Sequence, residues 1–393
     1  MKNIFDIAII GSGTIGNSLA LKLSQSGFLI KLIEIKPQVK NLNYEIPDFR
    51  VLALNTTAIQ FLKDINIWQK IDKNFYNKFK YLETWHSSFS KVRFCSKMSN
   101  FPRLGVVLEN YRLNQELVKN INLNLNIHTK YCAKLHSMHY ISSKSVWKIN
   151  YSDGSSIFSN MIIGADGQDS WVRKQSGIPF FSFKYNQSCM LIIAKLKIKS
   201  EDTVWQSLHI NGPRALLPLY KSWSLLIWYD NSNYLNQLQK MSIQEIEKKI
   251  INIFPKKLGP ISIYKHIVVP LNFLYGYQYV KNNLALVGDA LHTIHPLAGQ
   301  GANLGFRDIK ILSDILIYAK YKKLKWHDIS VLKQYEDNCR MYNTAMQFGI
   351  ETFRLLFSSR FILKKNIYCP IFNMVESSYL LKNILIKYAS GVF

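Results

Sequence analysis

Three groups of residues in this chain have types and spacings that suit chemistry. The first is Gly11-Ser12-Gly13-Thr14-Ile15-Gly16. Glycines so placed let the backbone turn tightly out of a strand, approach a pyrophosphate, and pack a following helix close to that strand. The helix start then offers free N–H groups and the positive end of its dipole to phosphate. Glu34 follows about twenty residues on, where an acid accepts ribose hydroxyls. Together these residues indicate a dinucleotide site. The glycine triplet alone leaves NAD and FAD both open.

The second group, Ile162-Ile163-Gly164-Ala165-Asp166-Gly167-Gln168-Asp169-Ser170-Trp171-Val172-Arg173, leaves an apolar run for an acidic turn. The third begins Ala285-Leu286-Val287-Gly288-Asp289-Ala290-Leu291-His292 and continues to Asn303. There an apolar strand delivers Asp289 to a turn, where its carboxylate suits a ribityl hydroxyl. Gly299 and Gly301 expose backbone N–H groups at a helix start. Such groups suit the electron-rich N1–C2=O edge of a reduced flavin. Asp289, His292 and His295 imitate a metal-ligand spacing, but Pro296 breaks any helix there, and no metal is assigned. His295 is the candidate proton relay. A histidine bonded within its own loop is the competing reading. Cys189, beside Met190, reads as core packing.

These residues need elements to position them. Residues 7–10 form a short apolar run suited to a buried parallel strand. A helix is expected over 17–26, closed by Gly27, then a second strand over 28–35. Residues 55–135 read as mainly helical. Strands are expected over 146–151 and 159–163, with a turn at Asp153-Gly154. Residues 180–275 alternate like an antiparallel sheet, interrupted by a helix over 242–254. A strand over 284–287 and a helix from Gly301 follow, and the remainder reads as helical. The expected fold is α/β (an α+β mix): a Rossmann-like nucleotide domain, an inserted antiparallel sheet and a helical C-terminus.

The three motifs, in this order and at these separations, resemble the FAD-dependent aromatic hydroxylases typified by para-hydroxybenzoate hydroxylase, over nearly the whole chain. The resemblance implies FAD as cofactor. It puts Asp166 and Gly167 near the cofactor and the NAD(P)H route, and Asp289 on the ribityl chain. Arg50, in Asp48-Phe49-Arg50-Val51-Leu52, matches an arginine beside FAD. Asn110 stands where many relatives have arginine. Pro296, Gly299, Gly301 and Asn303 complete the expected cofactor set.

Residues 185–192, 212–219 and 293–301 resemble the ubiquinone-biosynthesis branch. Leu291 departs from it, since relatives usually carry Ala there. The implied reaction hydroxylates a polyprenyl quinol, with NAD(P)H as transient reductant and molecular oxygen, through a flavin C4a-hydroperoxide. Another ring hydroxylase of the family, a prenyl-chain reductase, and a non-catalytic component of a ubiquinone-synthesis assembly are the alternatives. Other ubiquinone-biosynthesis proteins are implied as partners. The expected division is FAD-binding parts over 1–75, 106–180 and 276–320, substrate parts over 76–105 and 181–275, and a helical region over 321–393.

Composition sets the outer bounds. The 393 residues are 48% hydrophobic, enough for a large core. The net charge of +25 favours anionic partners. The lysines are dispersed and far outnumber arginines, so nucleic acid is not expected, whereas weak attraction to anionic lipid is. The five cysteines form no CxxC pair, which suits a reducing cytoplasm. The N-terminal apolar run is broken by glycines and reads as a strand rather than a secretory signal. No uninterrupted apolar stretch of about 18 residues predicts a membrane span. The region 348–386 mixes Phe353, Leu355, Leu356, Phe357 and Phe361 with Arg354, Arg360, Lys364 and Lys365. It suits either ordinary helix core or a peripheral contact at the inner membrane.

Overall fold

The structure is a computed structural model that describes residues 4–38, 45–87, 90–197, 202–357 and 365–391. Its first sheet is centred on Ile4–Ile10, flanked in parallel by Ile30–Ile33 and Ser156–Gly164. Ile127–Lys130 and Leu284–Leu286 extend the parallel part, and Val146–Tyr151 and Leu135–Ile141 add antiparallel strands. Ile7, Ile9, Ile162, Ile163 and Leu284 are fully buried. Continuous apolar runs of this kind suit a parallel sheet covered on both faces. Helix Thr14–Ser24 covers it through Leu19, Ala20 and Leu23. Helix Gly301–Tyr321 crosses the first helix at Gly305, where an added Cβ would stand 2.9 Å from Ile15 Cδ1.

The second sheet has eight strands. Their order is His292–Thr293, Ile261–Gly276, Phe180–Leu196, Trp223–Asn231, Arg214–Pro218, Thr203–Ser207, Tyr81–Ser87 and Ser90–Cys95. All neighbours are antiparallel except Thr203–Ser207 with Tyr81–Ser87. One face packs Met190, Ile192 and Trp228 against Ile246 and Ile250 of helix Ile243–Ile253. That helix starts where expected because Ser242 and Glu245 form a reciprocal capping box. The other face packs Ile193 and Leu225 against Phe79 and Val107 of a small sheet. The small sheet comprises Val51–Asn55, Gly105–Glu109 and Tyr76–Phe79.

The mainly helical expectation for 55–135 is therefore corrected. Helices Thr56–Asp64 and Asn110–Asn122 are present, but much of the segment between them is strand. The physical reason is pairing with distant chain. Tyr81–Ser87 is held by Thr203–Ser207, so packing from afar overrides a local pattern.

The C-terminus is helical as expected, with Ile329–Phe357, Lys365–Ser377 and Tyr379–Ala389. Arg360, Phe361 and Lys364 lie outside the described residues, as do the side chains of Phe357 and Lys365. The last helix returns to the nucleotide sheet's neighbourhood. Asn55 Nδ2 donates to the Ala389 carbonyl at 2.9 Å, Thr57 donates to the Ser390 carbonyl, and the Tyr388 ring lies 4.7 Å from Tyr342. Among the described residues no helix is long and apolar enough to cross a membrane.

Candidate cofactor and active site

The glycine turn leaves the end of Ile4–Ile10 with Gly11 at φ +108°, a left-handed conformation that favours glycine. A Cβ on Gly11 would stand 2.3 Å from the Ala165 carbonyl oxygen, and one on Gly16 would stand 2.0 Å from the Gly11 oxygen. Gly13 differs. Its backbone is ordinary, and no atom lies within 4 Å of an added Cβ. Two glycines are thus required by the protein's own packing, while the third keeps space open at a helix start. That space fits a pyrophosphate.

Glu34 sits beside this turn. Its Oε2 accepts from the Ser12 N–H at 2.8 Å and its Oε1 from the Lys36 N–H at 2.9 Å. The carboxylate therefore shapes the loop and keeps lone pairs for ribose hydroxyls. Asn110 opens its helix and accepts from Thr14 Oγ1 at 2.6 Å. Nearby, Asn17 donates to Asn114 Oδ1 at 2.7 Å and accepts from Ser12 Oγ. These bonds dock helix Asn110–Asn122 onto the first helix. An arginine at 110 has no acceptor for Thr14.

Asp166 and Asp289 leave neighbouring parallel strands, since Ile163 pairs with Ala285 and Gly164 with Leu286. Ile10 pairs with Gly164, so all three turns emerge at the C-terminal end of one sheet, where such sheets bind ligands. Asp166 Oδ2 accepts from the Val172 N–H at 3.0 Å, while Oδ1 is buried without a protein partner. Burial raises this carboxyl above its usual range, and hydrogen bonds from the following turn oppose the shift. Asp289 is exposed, yet dense surrounding protein raises its carboxyl above the usual range, with the charges of His292 and Arg50 pulling the other way. Arg50 is also exposed, and its carbonyl accepts from the Asn110 N–H at 2.8 Å. Gly167, at φ +82°, leaves space around its Cα.

Arg173 joins the two acidic turns. It is buried and donates to the Gln168 carbonyl at 2.7 Å and the Ala290 carbonyl at 2.6 Å. His292 is buried with its Nε2 2.7 Å from Asp308 Oδ2. Burial disfavours its charge, but Asp308 outweighs burial and the imidazole pKa is raised. Asp308 also accepts from the Gly288 N–H at 2.9 Å and from Asn343 at 2.9 Å. His292 is thus committed to a carboxylate on the next helix.

His295 lies elsewhere, against the eight-stranded sheet. It is fully buried, and its ring centroid is 5.2 Å from that of Tyr185 and 5.3 Å from that of Tyr229. Its Nε2 is 2.9 Å from Gln187 Oε1, and Gln187 Nε2 donates to the Asn211 carbonyl at 2.9 Å. With that amide orientation, the histidine proton sits on Nε2. Burial, helped by the Arg354 charge, lowers the pKa to about 3, so the ring stays neutral. A neutral, enclosed imidazole fastens its loop and is poorly suited to relay protons at neutral pH.

The neighbouring residues complete the fastening. Tyr229 donates to the Pro296 carbonyl at 3.1 Å. Arg214 is buried against Asp230 at 2.9 Å and donates to the Gly212 carbonyl at 2.8 Å. A Cβ on Gly212 would stand 2.5 Å from Gln187 Nε2. Stretch 185–192 therefore meets the His295 turn through Tyr185 and Gln187, and Gly212 packs behind it against Gln187.

Gly299 and Gly301 follow at the start of the long helix, with no atom within 4 Å of a Cβ on Gly301. Asn303 is buried and fully used by backbone: Oδ1 accepts from the Asn55 N–H at 3.0 Å, and Nδ2 donates to the Ala53 carbonyl at 3.0 Å. Its side chain holds the loop. Leu291 is fully buried, and a Cβ on Gly276 would stand 2.7 Å from its Cδ1. The absence of a side chain at Gly276 makes room for the larger residue. Cys189 packs with Tyr185, Tyr229 and Leu271, and burial pushes its thiol up to about 12. Arg173, Asp308, Tyr185 and Tyr229 were not singled out from sequence. Arg173 closes the acidic motif, which was a usable signal, whereas the other three depend on distant contacts.

The FAD binding domain family matches residues 5–347. The chain is similar to 3-demethoxyubiquinol 3-hydroxylase of Escherichia coli, with 34% identity over 98% of each protein. It is also similar to the mitochondrial ubiquinone biosynthesis monooxygenase COQ6 of Dictyostelium discoideum, with 26% identity over 99% of this chain and 92% of that one. Among solved structures, p-nitrophenol 4-monooxygenase from Pseudomonas putida superposes with a TM-score of 0.80 at 14% identity, covering 99% of both chains. That likeness shows the fold. The open glycine turn, the partnerless oxygen of Asp166 and the exposed Asp289 carboxylate fit an extended dinucleotide. The chain belongs to the FAD binding domain family and is an FAD-dependent monooxygenase.

Proposed function

We propose that this chain hydroxylates the ring of a polyprenyl benzoquinol intermediate in ubiquinone biosynthesis, using NAD(P)H and oxygen. The observation that carries this reading is the contact of 185–192 with the His295 turn, with Gly212 packed behind it against Gln187. Those stretches resemble the ubiquinone branch, and the 34% identical relative carries a demethoxyubiquinol hydroxylase name. Bound FAD, reduced by NAD(P)H, supplies activated oxygen for transfer to an electron-rich ring.

The protein's own residues bind and enclose. Gly13 leaves room for the pyrophosphate in the turn that Gly11 and Gly16 shape, Glu34 receives the ribose, and Asp289 with Arg50 the ribityl side. Asn110 orients the first helix. Asp166 and Gly167 border the cofactor, while Pro296, Gly299 and Gly301 present backbone to the flavin and Asn303 holds that loop. His295 positions the loop against the substrate sheet. A quinol is already electron-rich, so a neutral His295 is no obstacle. The cofactor parts are assigned to 1–75, 106–180 and 276–320, and the substrate parts to 76–105 and 181–275. Exposed Tyr379, Leu380, Ile384 and Leu385, on a chain of net charge +25, support peripheral contact with an anionic membrane.

The test is a visible spectrum of purified protein, then NADPH addition under air with and without a demethoxyubiquinol analogue. A flavin band at roughly 450 nm and a hydroxylated product are expected. Bound flavin without product would redirect the assignment to another ring substrate. Failure to take up added FAD would sink it.

A further inference from the structure

Strand segments 180–184 and 272–276 pair as a ribbon, and residues 180–184 are exposed without a break. The two faces of this ribbon differ. On one, Phe180 lies under Arg173 at 4.4 Å and Asn272 donates to Gln168 Oε1 at 3.1 Å. On the other stand Phe181 and Phe183, with Phe273 the cross-strand partner of Phe183. Phe183 stacks on Phe273 at 5.0 Å, and the Phe181 ring lies 5.8 Å from Phe183. The series continues inward from Phe183 to Tyr185 at 4.9 Å and from Tyr185 to His295 at 5.2 Å.

Exposure falls along it, from 51% at Phe181 through 38% at Phe183 to 8% at Tyr185. Tyr185 is fixed at the inner end because its hydroxyl donates to Glu351, itself 3.0 Å from Arg354. The outer phenylalanines leave large apolar surface in water at a cost the fold does not recover. Their continuity with the His295 turn indicates a ligand that begins at the site and runs outward.

We infer that the Phe181–Phe183–Phe273 ladder is the subsite for the substrate's polyisoprenyl tail. This rests on the proposed function, a hydroxylase of a tailed quinol, and puts the ring at the inner end of the ladder by the His295 turn. A tail many carbons long has no polar group to satisfy and must leave the enclosed site along apolar surface. Rigid ring faces in series give it that surface with little side-chain entropy to lose.

The test uses FAD-loaded protein, with equilibrium binding followed by quenching of tryptophan fluorescence. The probes are a tail-less demethoxyubiquinol ring, the same ring with a decyl tail, and farnesol, a tail without a ring. Wild type should bind the tailed ring more tightly than the tail-less one, and farnesol should compete with it. Phe183→Ser and Phe181→Ser should each remove about tenfold of the tail's gain, leaving tail-less binding, melting temperature and flavin spectrum unchanged. Phe183→Leu should restore most of that gain. Retention of the full gain and of farnesol binding in both serine variants would overturn the subsite. So would loss of binding to anionic vesicles with farnesol binding intact, because the ladder would then face a bilayer. If the tail-less ring fails to bind wild type, the quinol-ring assignment fails by itself. The farnesol measurements still decide the ladder.

Discussion

Replacing Gly13 by Ala adds a methyl group where the protein has room, with no atom within 4 Å of the new carbon. The backbone there is ordinary, at φ −78° and ψ −178°. The apoprotein should accept the change, because a stiffer unfolded chain gains about 0.4–1 kcal/mol while alanine caps the helix less well than glycine at this N-cap by a similar amount. Its melting point should hold to within roughly 3 °C. The same methyl stands where the pyrophosphate is assigned. Overpacking of this kind costs about 1–3 kcal/mol, which is roughly a five- to 150-fold weaker Kd for FAD. Gly16→Ala is the contrasting case. Its carbon would lie 2.0 Å from the Gly11 oxygen, and neither atom can rotate away. That variant should lose about 3 kcal/mol or more without any cofactor present. Thermal melts of both apoproteins and fluorescence titration with FAD separate the effects. Wild-type FAD affinity in Gly13→Ala, or an apoprotein melting as low as that of Gly16→Ala, would refute the division of roles.

Further outcomes follow from buried polar groups. The folded pKa of His292 is raised above the ordinary 6.5, so its ion pair stabilises fully below that value and is lost as pH rises through the folded one. The melting gap between wild type and Asp308→Asn should therefore be widest in acid and narrow as pH rises. A constant gap would contradict the pairing. His295 is neutral down to about 3, so His295→Asn should lower kcat without moving the limbs of its pH profile between about pH 5 and 8. Disappearance of a limb in that window would restore a proton-transfer role. Asn303→Ala removes the bonds to Ala53 and Asn55, and should cost roughly 1–3 kcal/mol in urea unfolding. A loss within experimental error would mean that water replaces the amide.

The parallel core was legible because local pattern and global packing agree there. Residues 7–10 and 284–287 are apolar runs, and each is followed by a glycine that the turn needs. Glu34 and Asp289 could be found by counting from those glycines. Tyr76–Cys95 misled because Tyr76–Phe79 and Tyr81–Ser87 are fixed by strands at 105–108 and 203–207, partners that no local pattern announces. Tyr185 and Tyr229 were invisible for a similar reason: His295 meets them only after the sheet has formed. Asn303 was read as a cofactor residue from the motif it belongs to. Its amide is spent on the backbone of the strand beneath, and sequence spacing does not reveal which way a side chain turns.

The tie between Asn55 and the Ala389 carbonyl, 334 positions apart, bears on when the pocket can be finished. Asn55 is also gripped by Asn303, which holds the loop at Gly299 and Gly301. Tyr379–Ala389 therefore braces the loop at Gly299 and Gly301 through Asn55 and Asn303, and the pocket is complete only with that helix docked.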